Sequence, residues 1–224
     1  MIPCISVENM RQSDAYTIAH FVSGPELMHR AAAGVFRAVS WSGPIAIVAG
    51  SGNNGGDGFA LACILKEAGY DCAVFTVSEK MSSDSSFYAE KAQSAGIAIK
   101  SFHTGCLQDY AMVVDCLLGT GFQGIVRGNY RTAIEEINAS GAYVVSVDIN
   151  SGMNGDTGEA ELAVQSDLTV TIGYVKYGLV SANAGNFMKK LVCTDIGIRL
   201  IREESWITEE NCPNWLDMKV IQAY

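Results

Sequence analysis

The sequence predicts an α/β fold, built on a mostly parallel, doubly wound, Rossmann-like sheet. Three observations carry that expectation. Seven short apolar runs recur along the chain, and most are continuous rather than alternating, as strands covered on both faces are. Helical segments fall between several of these runs. The length of 224 residues suits one α/β domain and lets the chain bury roughly 70–75% of its unfolded surface.

Taken in order, residues 7–39 read as two helices. "VENMRQSDAYTIAHF" and "PELMHRAAAGVFRAV" both carry apolar residues at helical spacing, and Pro25 is placed to open the second. Strands are expected at 44–50, 72–77, 96–102, 111–119, 142–150, 167–174 and 190–196, with helices at 57–68, 84–95 and 131–138. No linker rich in Pro, Gly or Ser divides the chain. It is expected to be a single domain, 1–224, with leading helices at 7–39, a core at 40–200 and an irregular tail at 201–224 packed through Trp206 and Trp215.

Composition excludes some partners. The net charge is −9, from 15 basic and 24 acidic residues, whereas nucleic acid and anionic membranes reward a basic surface. The opening "MIPCISVENMRQSD" shows no charged stretch followed by an apolar one, so no secretory signal is expected. Seven cysteines without a C-x-x-C pair suit reduced, buried thiols and a cytoplasmic setting. The three histidines are scattered and form no zinc pattern.

The chemistry concentrates at three strand ends. In an open α/β sheet, ligands sit beyond the carboxyl ends of the strands. After the first strand comes "GSGNNGGDG" (50–58). After the fourth come Asp115 and then "GTGFQG" (119–124). After the fifth come Asp148, Asn150, Ser151 and Gly152. Each turn alone could be an ordinary glycine turn, and Asp57 alone could be a helix cap. Asp115 and Asp148 each end an apolar strand, where burying a carboxylate is costly without a purpose. The spacing at Gly50, Gly52 and Gly55 also fits a dinucleotide fingerprint, but no clean ribose-binding acid ends the second strand, and no Walker A lysine follows.

Together, "GSGNNGGDGFALA", "VVDCLLGTGFQG" and "VSVDINSGMNGDTG", in that order, resemble the signature segments of the NAD(P)H-hydrate epimerase family, the YjeF N-terminal domain. The opening "ENMRQSDAYTI…ELMHRAAAGV" is similar to the family's two leading helices, and "TIGYVKYGLVSANAGNF…LVCTDIGI" to its last two strands. The resemblance covers about residues 5–199.

The resemblance implies a three-layer αβα sandwich and an isomerase. Its substrate would be NADHX or NADPHX, a reduced nicotinamide dinucleotide hydrated at ring carbon C6. The enzyme would interconvert the R and S epimers there, serving a separate dehydratase. Carried over residue by residue, Asn53, Asn54, Gly55, Gly56, Asp57, Gly119, Thr120, Gly121, Phe122, Gln123, Gly124, Ile125 and Asp148 would bind the substrate. Asn54, Asp115 and Ser151 would bind potassium, and a homodimer is implied because relatives often form one. One carboxylate with an amide oxygen, a hydroxyl and carbonyls is a low-charge oxygen shell that suits a monovalent cation. Asp148 is the candidate acid and base, its pKa raised by an apolar mouth, or else a binder of ribose or carboxamide. The amides of 119–124 are the expected pyrophosphate cradle. Lys176 either adds positive charge or is exposed. The family usually reads D-I-P-S-G where Asn150 stands here. The alternatives are a non-catalytic nucleotide-binding module, expected to lose pocket acids that Asp57, Asp115 and Asp148 retain here, and an NAD-dependent dehydrogenase.

Overall fold

The middle layer of the computed structural model, which describes residues 1–224, is an eight-stranded sheet in which every neighbouring pair runs parallel. In chain order the elements are β1 (Ile2–Ile5), α1 (Val7–His20), α2 (Gly24–Ala38), β2 (Ile45–Ala49), α3 (Asn53–Glu67), β3 (Cys72–Thr76), α4 (Ser83–Ser94), β4 (Ala98–Ser101), β5 (Met112–Cys116), α5 (Gly128–Ala139), β6 (Tyr143–Val147), β7 (Leu168–Ile172), β8 (Val175–Lys176), β9 (Leu191–Asp195), β10 (Ser205–Ile207) and β11 (Leu216–Gln222). The strand order is β11-β9-β7-β6-β5-β2-β3-β4.

The continuous apolar runs have the cause expected of them. β2, β5 and β7 are buried at every position. Ile45, Ile47 and Ala49 of β2 pack with Leu27, Phe59, Leu61 and Tyr88 of α2, α3 and α4 on one face. Ala46 and Val48 pack with Ala133, Ile134 and Ile137 of α5 on the other. The result is the αβα sandwich. A second sheet of three strands, β10-β1-β8, joins α5 in covering that second face, packing Ile2, Cys4, Val175 and Ile207 against Leu191 and Cys193 of β9.

The structure corrects three expectations. The tail is not irregular: β10 pairs antiparallel with β1, and β11 extends the main sheet parallel to β9. The third helix starts at Asn53 rather than at residue 57, so the Asn53–Asp57 segment is its first turn and a half. Of the two tryptophans expected to pack the tail, Trp215 donates its indole N–H to the carbonyl of Leu179 at 3.0 Å, but Trp206 is largely exposed.

α1 is held by an unusual stripe. Asn9, Ser13 and Thr17, four residues apart, are fully buried. The amide of Asn9 donates to the carbonyl of Arg202 at 2.7 Å, and the hydroxyls of Ser13 and Thr17 accept from the backbone N–H groups of Ile201 and Arg199. That polar seam leaves the adjacent stripe of α1 free to face the site. No helix is long and apolar enough to cross a membrane.

Candidate active site

The chain runs outward from β2 to β3 and β4, then returns to place β5 on the other side of β2. The carboxyl ends of β2 and β5 therefore flank the point where strand order reverses, where such sheets open a crevice. Gly50 leaves β2 there and donates its N–H to the carbonyl of Cys116 at 2.9 Å. A Cβ on Gly50 would run into the carbonyl oxygen of Leu117, and one on Gly55 into that of Gly50. Two glycines thus let α3 begin hard against the sheet. Its first turn has no side-chain cap, so its free N–H groups are open to an anionic ligand. Asp57 is the fifth residue of that helix, too far in to be its cap.

The crevice is a cavity of about 650 Å³, a size suited to a nucleotide. Of the residues expected to bind substrate, Asn53, Asn54, Asp57, Gly119, Thr120, Gly121, Phe122, Gln123 and Asp148 line it. Gly55 and Gly56 lie buried in the helix start behind them, and Gly124 and Ile125 are exposed outside the cavity. The opposite wall was not anticipated. It comes from Met10, Asp14 and Ile18 of α1, Leu27 and Met28 of α2, Ile172 at the end of β7, and Ile196 and Ile198 beyond β9. The signal was present in the spacing of residues 10, 14 and 18 along one helical face, with an acid in the middle of an otherwise apolar stripe.

The three turns converge at Gly119. A Cβ there would stand 3.3 Å from Asp148 Oδ2 and 3.4 Å from Asn54 Cβ, so the three turns meet at van der Waals distance around this glycine. Asp148 is the sole non-glycine residue with positive φ, at 71°. Its Oδ1 accepts from the Lys176 ammonium at 2.5 Å and from the backbone N–H of Ile172 at 3.4 Å. Lys176 is 0% exposed, and its ammonium also donates to Thr171 Oγ1 at 3.0 Å and the Ile172 carbonyl at 2.8 Å. Asp148 therefore has a buried counter-ion in place of the apolar mouth expected for it, and Lys176 is not a surface lysine.

Asp115 and Ser151 do not line the cavity. Asp115 is fully buried and accepts four hydrogen bonds, from Ser146 Oγ at 2.9 Å, Ser151 N–H at 2.9 Å, Ser151 Oγ at 2.5 Å and Leu117 N–H at 3.2 Å. Burial raises its pKa, and these four bonds pull it back. The carboxyl knots the turn after β5 to the turn after β6. By contrast, burial raises Asp57 well above the usual carboxylate range, and the charges of Asp148 and Asp14 push it further. Asp14 is raised by burial first and by Asp148 second.

Residues 24–178 match the family described as "YjeF-related protein N-terminus". The chain belongs to this family, that of the NAD(P)H-hydrate epimerases. It is 37% identical to the NAD(P)H-hydrate epimerase of Limosilactobacillus fermentum, over 85% of this chain and 95% of that one. It is 34% identical to the protein of the same name from Rhodopirellula baltica, over 89% and 86% of the two chains. It is also 39% identical to part of the bifunctional NAD(P)H-hydrate repair enzyme Nnr of Archaeoglobus fulgidus, over 77% of this chain and 37% of that one. The crystal structure of the yeast protein ynu0 shares the fold, with a TM-score of 0.74 at 20% identity over 90% of this chain and 96% of that one.

The potassium ion that the sequence resemblance implies can be tested against these residues. Asn54 is 8% exposed, its amide nitrogen donates to the Val147 carbonyl at 3.2 Å, and its Oδ1 has no hydrogen-bond partner. An orphaned buried amide oxygen is costly unless something absent from the chain binds it. No cluster of three His, Cys, Asp or Glu side chains suits a transition or alkaline-earth metal. A single carboxylate with an amide oxygen and a hydroxyl suits a monovalent cation, so the residues fit. Beyond them, the N–H groups of Gly119, Thr120, Gly121, Gln123 and Gly124 donate to no acceptor in the chain, leaving a row of donors for phosphate oxygens.

Proposed function

We propose that this protein is an NAD(P)H-hydrate epimerase, an isomerase acting on the R and S epimers of NADHX and NADPHX. The observation that carries this reading is the meeting of Asn54, Gly119 and Asp148 in one nucleotide-sized cavity at the switch point, in a chain over a third identical to an enzyme of that name.

The chemistry asks little of the protein beyond binding, charge and a proton. The lone pair of the ring nitrogen expels the C6 hydroxyl, leaving a conjugated iminium, and water returns from either face. The unpaired amides of 119–124 and the uncapped start of α3 hold the pyrophosphate. Asp148, pinned through Oδ1 by Lys176, offers Oδ2 to the ligand and counters the positive charge that develops on the ring. The salt bridge weighs against Asp148 as the proton carrier, because protonating it would leave a buried ammonium without its counter-charge. The apolar side chains of Met10, Leu27 and Met28 line the cavity and would shield the ring from bulk water. Asn54 Oδ1, Asp115 and Ser151 would hold potassium, which supplies positive charge among the three turns. The epimer produced would pass to a separate dehydratase.

Purified protein given one epimer of NADHX is expected to speed R/S interconversion well above the buffer rate. In isotopically labelled water, the label should appear at C6 of both epimers. Interconversion without label would rule out expulsion and return of the hydroxyl. For the cation, potassium is expected to raise the thermal midpoint more than tetramethylammonium at equal ionic strength, as a ligand that binds only the folded chain must. Asn54→Ala should abolish that difference, and an equal response of both proteins would remove the cation from the site.

A further inference from the structure

We propose that Asp57 is the proton carrier of the epimerisation, giving its proton to the C6 hydroxyl as it leaves and taking one from the water that returns. This assignment rests on the epimerase reading above. It starts from an inventory of carboxyls. Asp14, Asp57, Asp84 and Asp148 border the cavity. Asp148 is occupied by Lys176, and Asp115 lies behind the wall with all four of its bonds made. Asp84 packs at the start of α2, where its Oδ2 would stand 2.5 Å from a Cβ on Gly24.

Asp57 and Asp14 also have no hydrogen-bond or ion-pair partner in the chain, and, unlike Asp84 in the first turn of α4, neither stands at a helix start. Of the two, Asp57 shares its helix with Asn54. It follows Asn54 by three residues on α3, so both project from one helical face, beside the point where Asn54, Gly119 and Asp148 meet. The orphaned Asn54 Oδ1, the oxygen assigned above to the cation, lines the same cavity one helical turn away.

The electrostatics agree with that placement. Facing Asp57 are Asp14 from α1, Asp148 from the turn after β6 and Lys176 from β8, with Cys116 of β5 and Tyr88 of α4 also within its field. Burial is the largest influence and favours the protonated carboxyl, the two aspartates add to it, and Lys176 opposes it. A carboxyl that keeps its proton above the ordinary range is what an acid needs when it serves a leaving hydroxide.

The step balances without any redox partner. The C6–O bond breaks with its electron pair on oxygen, the Asp57 proton joins that oxygen, and water departs while the nitrogen lone pair closes the double bond to C6. Asp57 is left as carboxylate. Water then adds to C6 on the other face, the double-bond pair returns to nitrogen, and the surplus proton goes back to Asp57.

The test compares wild-type protein, Asp57→Asn and Asp14→Asn on a single NADHX epimer. Asp57→Asn should lower kcat about 10²–10⁴-fold, the usual worth of a positioned acid, while KM changes no more than about threefold because ground-state binding is kept. Wild-type activity should fall as pH rises through the raised Asp57 pKa. Asp14→Asn should move that fall to lower pH, since removing a neighbouring negative charge eases ionisation. A stability readout separates this from a structural role. The folded chain binds the Asp57 proton more tightly than the unfolded chain, so stability declines as pH rises from the ordinary value of 3.8 toward the raised one. Asp57→Asn should therefore have a higher thermal midpoint than wild type at alkaline pH, and the gap should close toward pH 3.8. Active wild type with an Asp57→Asn variant within about tenfold of it would overturn the assignment alone. Wild type with no activity would overturn the epimerase reading and the assignment together.

Discussion

Lys176→Met is expected to destabilise the protein more than any other single change at the site. The ammonium is fully buried and makes three bonds, to Asp148 Oδ1, Thr171 Oγ1 and the Ile172 carbonyl. Methionine fills the same volume but leaves Asp148 without its counter-charge, beside Asp14 and Asp57. Breaking one side of a buried ion pair costs about 3–5 kcal/mol. For a chain of this length that is a drop in thermal midpoint of roughly 6–20 °C. Activity should also fall, because the Asp148 carboxyl at the cavity loses the ammonium that pins its Oδ1. The double variant Lys176→Met/Asp148→Leu should recover much of the stability, since a buried pair replaced by apolar groups is often neutral, and none of the activity. A single variant as stable as wild type by thermal denaturation would show that the pair is not what holds this corner.

Asn150→Ala is expected to cost about 2–4 kcal/mol, through buried polar groups left without partners. Asn150 is fully buried. Its amide nitrogen donates to the Val164 carbonyl at 2.9 Å, Ser166 Oγ at 3.0 Å and the Phe187 carbonyl at 2.9 Å, and its oxygen accepts from Thr169 Oγ1 at 2.6 Å. These four bonds fix the chain just before Ser151, where the sequence resemblance implies a proline. Asn150→Pro therefore makes a sharper test. It introduces the proline that the sequence resemblance implies at this position yet loses the same four bonds, and should melt below wild type. A higher midpoint would mean that backbone stiffness outweighs the network.

Much of this molecule was legible from residue order. The inner strands declared themselves because burial on both faces writes long apolar runs, and three of those runs ended in glycine-rich turns bearing acids. β1, β8 and β10 did not, because strands of four, two and three residues are too short to carry any period. α3 was read as starting late because Asn53, Asn54, Gly55 and Gly56 are poor helix formers. Tertiary contact overrides that preference, since a residue other than glycine at position 55 would strike the Gly50 carbonyl. At the site, proximity in the fold was the missing information. Nothing around Lys176 in the sequence says that it reaches back to Asp148, and nothing around Asp14 says that α1 forms a wall of the cavity.

The small sheet has a consequence for how the molecule is made. β1 pairs with β8 in a register that sets Ile5 opposite Lys176, and β10 closes over its other edge. β1 must therefore wait for partners roughly 170 and 200 residues later in the chain, a separation that delays pairing. The lysine that anchors the pocket aspartate thus sits in a small sheet closed by segments far apart along the chain, so the main sheet can form before that anchor is seated.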